Sequence, residues 1–227
     1  MRRLSIIVPV LNEAGLIVSH LSALQALRAR GSEVIVVDGG SDDGTVALAA
    51  PLADRVLTSA RGRATQMNAG ATSADGEILL FLHVDCALPA DADRLIFAAL
   101  AGSAVGWGRF DAEIGGRHPL LPLIAWSMNR RSRLTGIATG DQAMFVRRDW
   151  FAAAGRFPEI ALMEDIALSG ALRRRGSPCC LDARVRASGR RWERQGVVRT
   201  ILLMWWLRFR FFFGARTDPL AMRYERR

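Results

Sequence analysis

Acidic and basic side chains stand at the ends of four successive apolar runs in the first 85 residues. Carboxylates follow the first, second and fourth runs, and an arginine follows the third. Carboxylate oxygens ligate divalent cations and accept hydrogen bonds, whereas the planar guanidinium of arginine suits phosphate. The pattern predicts a site for a metal ion or for a sugar and a base. The side chains concerned are those of Asn12, Glu13, Asp38, Arg61 and Asp85.

The adjacent acids Glu164 and Asp165 are a second feature that could do chemistry. A carboxylate within hydrogen-bond reach of a hydroxyl group can take its proton as a general base. Two acids at the start of a helix also stabilise that helix through its dipole. Spacing alone favours this structural role, so a catalytic role needs support from other parts of the sequence.

The apolar runs predict β-strands, and the segments between them predict helices. Alternation of the two predicts an α/β fold with a mainly parallel, twisted sheet, helices on both faces and right-handed crossovers. Ligands bind beyond the carboxyl ends of such strands, which is where the polar side chains stand. Strands are expected over 4–10, 33–37, 55–58 and 77–84, and helices over 12–31, 45–50 and 63–72.

The alternation of strand-like and helix-like segments is less regular after Asp85. It predicts helices over 91–100 and 164–174, strands over 105–114 and 140–146, and an apolar segment over 118–128. Because no linker interrupts the chain before about residue 190, we expect one domain over 1–195, followed by a helical tail over 196–227.

The tail carries most of the basic excess. All 31 basic residues are arginine, and 15 of them lie in residues 171–227 beside only four acids. The 227-residue chain is 50% hydrophobic and 23% charged, which excludes disordered and fibrous proteins. Its three cysteines, two of them adjacent, do not suit a disulfide framework and favour a reduced, cytoplasmic setting. No apolar run reaches the roughly 18 residues that cross a bilayer.

Aromatic residues and arginines are mixed in the segment 197–214. This composition predicts an interfacial helix that binds anionic lipid, which would place the protein at the inner face of a membrane. A helix packed on the domain or in a dimer interface has the same composition. Binding of single-stranded nucleic acid is a third reading. No recognised nucleic-acid fold supports it, so no such partner is expected.

Seven short motifs follow one another over about residues 4–192. They are IIVPVLNE (6–13), VVDGGSDDGT (36–45), RGRATQMNAG (61–70), LHVD (82–85), GDQAMFVRR (140–148), MED (163–165) and Arg190-Arg191-Trp192. In order and spacing they resemble the inverting family 2 glycosyltransferases, which have the nucleotide-sugar-binding GT-A fold. Within that family the chain looks like the short bacterial members found near radical-SAM genes.

The resemblance implies transfer of a sugar from a nucleotide-diphosphate sugar, of the UDP type, to a hydroxyl acceptor with inversion. It implies that Asp38 contacts the base, that Asp85 holds Mg²⁺ or Mn²⁺, and that Asp165 of the pair with Glu164 is the catalytic base. Further nucleotide contacts are expected from Pro9, Asn12, Glu13 and one of Arg61 and Arg63, with Gln66 and Asn68 suited to sugar hydroxyls. The acceptor side is expected to hold Gly140, Asp141, Gln142, Arg191 and Trp192.

The triplet His83-Val84-Asp85 departs from the family pattern, which has Asp-x-Asp here. His83 in place of the first acid is either a metal ligand or, as its position at a strand end favours, a buried histidine. The lost acid also supports a different class of function, a non-catalytic protein that binds a nucleotide sugar or a membrane surface. A nucleotidyltransferase is disfavoured because no Gly-rich loop with a lysine follows the first strand, and a dehydrogenase because no GxGxxG does.

Overall fold

The computed structural model describes residues 3–102 and 105–225. In this part of the chain, eight strands form one sheet in the order β3-β2-β1-β4-β7-β6-β8-β5. The strands are β1 (Leu4–Val10), β2 (Glu33–Asp38), β3 (Arg55–Thr58), β4 (Ile78–Phe81), β5 (Cys86–Ala87), β6 (Trp107–Gly115), β7 (Phe145–Arg147) and β8 (Cys179–Ser188).

Helices cover both faces of the sheet. They are α1 (Ala14–Ala29), α2 (Thr45–Ala49), α3 (Arg63–Ser73), α4 (Ala92–Ala99), α5 (Leu121–Thr135), α6 (Arg148–Ala153), α7 (Glu164–Arg173), α8 (Arg190–Gln195), α9 (Val197–Phe212) and α10 (Thr217–Glu225). Two short 3-10 helices lie at Ala50–Leu52 and Gly140–Gln142.

The first four strands of the sheet confirm the predicted α/β fold. β3, β2, β1 and β4 are parallel neighbours, and β1 is buried along its whole length between β2 and β4. Residues from α1 and α4 pack on one face, and residues from α3 and α7 pack on the other. Since the strands run parallel in register, the loops that follow them emerge at one edge of the sheet.

The second half of the sheet is mixed and differs from the sequence prediction. β7 pairs antiparallel with both β4 and β6, whereas β6 and β8 are parallel. The predicted strand over 140–146 is wrong at its start, because Gly140–Gln142 is a 3-10 turn closed by a capping box between Thr139 and Gln142. The predicted strand over 77–84 ends earlier, at Phe81, and the chain then turns with Cys86 N–H donating to the His83 carbonyl at 3.0 Å.

Helix α9 forms as predicted and packs on the rest of the chain. Leu203 and Leu207 form a buried cluster with Leu162, Met163 and Leu220. The division of the chain after residue 195 stays a prediction. Among the described residues, no helix is long and apolar enough to span a bilayer.

Helix α3 lies unusually close to the sheet at Gly70. A Cβ atom at Gly70 would lie 2.5 Å from Cγ2 of Ile7 and 3.0 Å from Cγ2 of Val37. Replacement Gly70→Ala should therefore lower the free energy of unfolding by about 1–3 kcal/mol, because packed core residues must move. Urea denaturation measures this change.

Gly170 in α7 is the matched control. A Cβ atom there meets only Cδ1 of Ile137, at 3.9 Å. Gly170→Ala should raise the free energy of unfolding by about 0.5–1 kcal/mol, since alanine favours the helix. A Gly70→Ala variant as stable as the wild type, or more stable, would contradict the close packing of α3.

Candidate active site

The loops after β1 and β2 are joined by hydrogen bonds. Asn12, with a positive φ of 55°, donates its backbone N–H to Oγ of Ser41 at 2.8 Å and accepts from the Asp42 N–H at 3.0 Å through Oδ1. Glu13 N–H donates to Oγ1 of Thr45 at 2.8 Å. The two loops therefore form one preorganised rim above the parallel strands.

Asp38 holds the β2 loop. Its carboxylate is only 2% exposed and accepts hydrogen bonds from the backbone N–H groups of Gly40 and Ser41 and from the Ser41 hydroxyl. The side chain thus shapes the loop in this structure. A contact with a base, as expected from the sequence, stays a prediction.

The amides of Gln66 and Asn68 on α3 are paired with backbone groups, and not directed at the cavity as the expected contact with sugar hydroxyls would need. The buried Gln66 side chain donates to the carbonyl groups of Val10 and Val37, both at 2.8 Å, and so bridges the ends of β1 and β2. Asn68 donates to the Phe157 carbonyl at 2.8 Å and accepts from the Phe157 N–H. Both amides therefore bind backbone groups, Gln66 at the ends of β1 and β2 and Asn68 in the loop between α6 and α7.

Glu13 on the rim is affected by the charge of Asp85, which lies in the turn after β4. Burial raises the pKa of Glu13, and the negative charge of Asp85 raises it further, while Arg190 acts in the opposite direction. Asp85 is exposed, and its backbone carbonyl accepts from Ser188 N–H at 3.1 Å, which ties this turn to β8. Adjacent carboxylates of this kind are stabilised by a cation.

His83 lies against the turn that contains Gly140 and Asp141. Its Nδ1 is 3.8 Å from Oδ1 of Asp141, and a Cβ atom at Gly140 would lie 2.2 Å from the imidazole ring, so only glycine fits there. Burial lowers the pKa of His83, but pairing with Asp141 outweighs it and the net pKa is raised. For Asp141, loss of hydration raises the pKa, whereas His83, Arg63 and Arg191 lower it by more.

The acid pair begins α7 and its two members have different partners. Glu164, 2% exposed, forms an ion pair with Arg63, whose Nε lies 2.8 Å from Oε1. Burial is the main reason that the pKa of Glu164 is raised, with Arg63 opposing and Asp165 reinforcing the shift. Asp165 accepts hydrogen bonds from Gly140 N–H through Oδ2 and from Ile166 N–H through Oδ1, both at 2.7 Å, which fixes its orientation.

Asp165 faces a cavity of about 490 Å³ between α5, α7 and α9. Its lining combines carboxylates, arginines and His83 with a larger apolar part. The polar lining is Arg63, His83, Ser127, Arg131, Thr139, Asp141, Asp165 and Arg208, and the apolar lining is Leu123, Ile124, Met128, Leu162, Met163, Ile166, Trp192, Ile201, Met204 and Trp205.

The structure brings together part of the predicted set. Arg63, Gly140, Asp141, Asp165 and Trp192 line this cavity. Glu164 is buried directly behind it through its ion pair, and Glu13 and Asp85 lie on the adjoining rim. Arg61 and Arg191 are exposed. Pro9 is buried inside β1, where it pairs with Val37.

Gln142 does not lie on the acceptor side, where the sequence analysis expected it. Its side chain is fully buried, accepts from Thr139 N–H at 3.2 Å and donates to Oδ1 of Asn129 at 3.3 Å. It closes the turn that presents Gly140 and Asp141, and it does not line the cavity. The capping box of this turn is the physical reason.

Sequence reasoning missed the contribution of α5. Ile124, Met128 and Arg131 of this helix line the cavity, although the sequence predicted only an apolar segment over 118–128. Their spacing of four and three residues is the available signal, because such positions share one face of a helix.

Three side chains could contribute to a cation site. The donor atoms of His83, Asp85 and Cys86 lie within 4.8 Å of one another. Burial raises the pKa of the Cys86 thiol well above its usual value, helped by Asp141 and Asp85, which disfavours the thiolate in the metal-free protein. The carboxylate of Asp85 suits Mg²⁺ or Mn²⁺, with the His83 imidazole as a neighbouring nitrogen donor.

The family model described as glycosyl transferase family 2 matches residues 5–154. The chain therefore belongs to the family 2 glycosyltransferases. Its mixed sheet agrees with the GT-A fold of solved members, which confirms the resemblance based on the motifs. The narrower likeness to short bacterial members near radical-SAM genes stays a prediction.

Solved structures with a similar fold include glycosyltransferases with bound nucleotide sugars. *S*. *aureus* TarS 1-349 in complex with UDP-GlcNAc has a TM-score of 0.67 and 20% identity, over 83% of this chain and 58% of that one. The mannosyltransferase PcManGT from Pyrobaculum calidifontis, in complex with GDP-Man and Mn²⁺, has a TM-score of 0.62 and 25% identity, over 82% and 57%.

A third similar structure is glucosyl-3-phosphoglycerate synthase from Mycobacterium tuberculosis with Mn²⁺, UDP and glucosyl-3-phosphoglycerate. Its TM-score is 0.59 at 19% identity, over 81% of this chain and 70% of that one. The chain thus spans less than two thirds of the length of TarS and PcManGT. A search of curated proteins finds no significant match.

Proposed function

We propose that this chain transfers a sugar from a UDP-sugar to a hydroxyl group with inversion, in a metal-dependent reaction. The observation that carries the proposal is a series of contacts from Asp165 to Asp85, which the charge of Asp85 extends to Glu13. Asp165 is bonded to Gly140, the Gly140 turn packs on His83, and His83 lies beside Asp85, which in turn acts on Glu13. A donor on the rim and an acceptor in the cavity would therefore meet at Asp165.

Asp165 is suited to the role of general base. Backbone N–H groups hold both of its oxygens, so the carboxylate needs no reorientation when a hydroxyl group binds in the cavity. It would take the proton of the acceptor hydroxyl as that oxygen attacks the anomeric carbon from the face opposite the leaving diphosphate. Glu164 would act from behind, by fixing Arg63 beside the donor phosphates.

The donor set at the rim fits a divalent cation. Asp85 would hold Mg²⁺ or Mn²⁺, and a bound ion would offset the charge of the departing diphosphate. Asp38, Asn12, Pro9 and Glu13 are proposed to receive the nucleoside, since they form or support the two joined loops. Mn²⁺ or Mg²⁺ accompanies the nucleotide in PcManGT and in the mycobacterial synthase.

The cation proposal predicts that UDP raises the melting temperature strongly only when Mn²⁺ is present. A ligand at a hundred times its Kd stabilises the folded state by about 2.7 kcal/mol, which thermal unfolding detects. Asp85→Asn should remove the Mn²⁺-dependent part of the shift. Asp91→Asn, at an exposed acid six residues further on, should retain it. Equal shifts with and without Mn²⁺ would contradict the metal site.

The base proposal predicts a selective loss in Asp165→Asn. UDP release from UDP-GlcNAc or UDP-glucose with a lipid extract as acceptor should fall by about 10²- to 10⁴-fold, while UDP binding is unchanged. Asp149→Asn is the matched control, because Asp149 is also an acid in the first turn of a helix but lies outside the cavity. Unchanged turnover in Asp165→Asn would refute the base assignment.

The same assay separates the enzyme from a non-catalytic nucleotide-sugar binding protein. That alternative is favoured by His83, which stands where the family has an acid. The alternative would be supported if the wild-type protein binds UDP in the presence of Mn²⁺ but releases no UDP from UDP-GlcNAc or UDP-glucose.

We further propose that the C-terminal tail brings the enzyme to an anionic membrane at its cytoplasmic face, where a lipid-linked acceptor resides. The inner face of α9 packs on the domain, whereas an outward stripe of apolar residues at helical spacing is exposed. Trp205 is 69% exposed and Phe209 is 61% exposed. The stripe consists of Val198, Leu202, Trp205, Phe209 and Phe212. Arg199 and Arg210 flank it on the same helix.

The membrane proposal predicts that the protein co-sediments with vesicles containing phosphatidylglycerol and less with vesicles of phosphatidylcholine alone. The double variant Trp205→Ser/Phe209→Ser should reduce binding at least tenfold, because it removes buried apolar area in the interface. Leu48→Ser, at an exposed leucine on α2, is the control. Binding that is unaffected by the double variant would contradict a role for α9.

A further inference from the structure

The lining of the cavity at Asp165 combines apolar with charged side chains. Leu123, Ile124 and Met128 of α5 face Ile201 and Met204 of α9 across it. Ile124, Ile201 and Met204 are partly buried against neighbouring clusters, and a small polar acceptor would leave their cavity-facing surface in contact with water. An acceptor with an apolar chain would bury it, and apolar burial contributes roughly 25 cal/mol per Å².

Arg131 on α5 lines the same cavity with an unsatisfied group. Its Nη2 atom is buried and has no hydrogen-bond partner within residues 3–102 and 105–225. Burial lowers the pKa of the guanidinium, and the positive charge of Arg109 lowers it as well, whereas Asp165 raises it. A buried charged donor without a partner is costly, so such a group is normally paired with a ligand or a counter-ion.

Two neighbouring arginines differ from Arg131 in their environment. Arg63 forms an ion pair with Glu164, so its charge is balanced within the protein. Arg208 enters the cavity lining from α9, on the side opposite α5. Arg131 of α5 and Arg208 of α9 thus bring positive charge to the cavity. Asp165 acts on Arg131 as a charge, but its oxygens accept hydrogen bonds from backbone N–H groups, and Asp141 lies beside His83.

We propose that the acceptor is an amphiphile whose anionic group pairs with Nη2 of Arg131 while its apolar chain lies between α5 and α9. This inference rests on the proposed function, because it names the acceptor class of the same site. The anionic group is a phosphate or a carboxylate near the attacking hydroxyl, and it is distinct from the donor diphosphate. Arg131 would then be a specificity residue that selects charged acceptors over neutral ones.

The test measures binding to the full chain by calorimetry with three probes below their micellar concentrations. Octyl phosphate has both an apolar chain and an anionic head, octyl glucoside has the chain with a neutral head, and inorganic phosphate has the anion alone. Wild-type protein should bind octyl phosphate at least tenfold more tightly than either of the other two probes. Only octyl phosphate can both bury an apolar chain between α5 and α9 and pair with Arg131.

Arg131→Gln should lose the preference for octyl phosphate over octyl glucoside. Arg130→Gln is the matched control, since Arg130 is the adjacent residue on α5 but faces a different groove, beside β6. It should bind all three probes as the wild type does. Circular dichroism reports whether both variants fold, and the wild-type comparison decides the anion preference even where Arg131→Gln does not fold.

Three other results would each contradict one part of the proposal. Equal affinity for octyl phosphate and octyl glucoside would refute the anionic acceptor, and equal affinity for octyl phosphate and inorganic phosphate would refute the apolar chain. Wild-type affinity in a folded Arg131→Gln variant would refute the role of Arg131. UDP binding with Mn²⁺, measured on the same samples, reports separately on the proposed function and should be unchanged in Arg131→Gln.

Discussion

The hydrogen bond from Gly140 N–H to Asp165 joins the two halves of the site. Gly140 lies in the turn before β7, and Asp165 lies in the first turn of α7, so the bond links the sheet to a helix. The same turn packs on His83, which follows β4. The position of Asp165 is therefore coupled to the position of His83 and of the turn after β4. A glycine is required at this point because the imidazole occupies the space of a Cβ atom.

Much of the first half of the fold could be predicted from the sequence. β1, β2 and β4 are short, buried and mainly apolar runs, which predict parallel strands. Asp38 is the last residue of β2, and Asp85 lies in the turn after β4. The second half could not be read in this way. β8 alternates exposed arginines with buried small residues, and Gly140–Gln142 is a turn whose capping box becomes visible only when Thr139 and Gln142 are seen together.

The sequence indicated which residues lie near the cavity, whereas their roles stay predictions. The acids expected at strand ends lie around one rim, and Asp165 faces the cavity beside it. Gln66 and Gln142 were misread because a polar amide on a loop or a helix can serve a ligand or an unpaired backbone group equally well. Only the three-dimensional partners, Val10 and Val37 for one and Thr139 for the other, distinguish the two.

The exclusive use of arginine has a chemical consequence for the whole surface. A guanidinium remains protonated across the pH range in which proteins are studied, whereas a primary amine does not. No side chain of this sequence can form a Schiff base or accept an acetyl group at a lysine nitrogen. Cellular acylation and amine-directed labelling of side chains would therefore leave the positive charge of α8 and α9 intact.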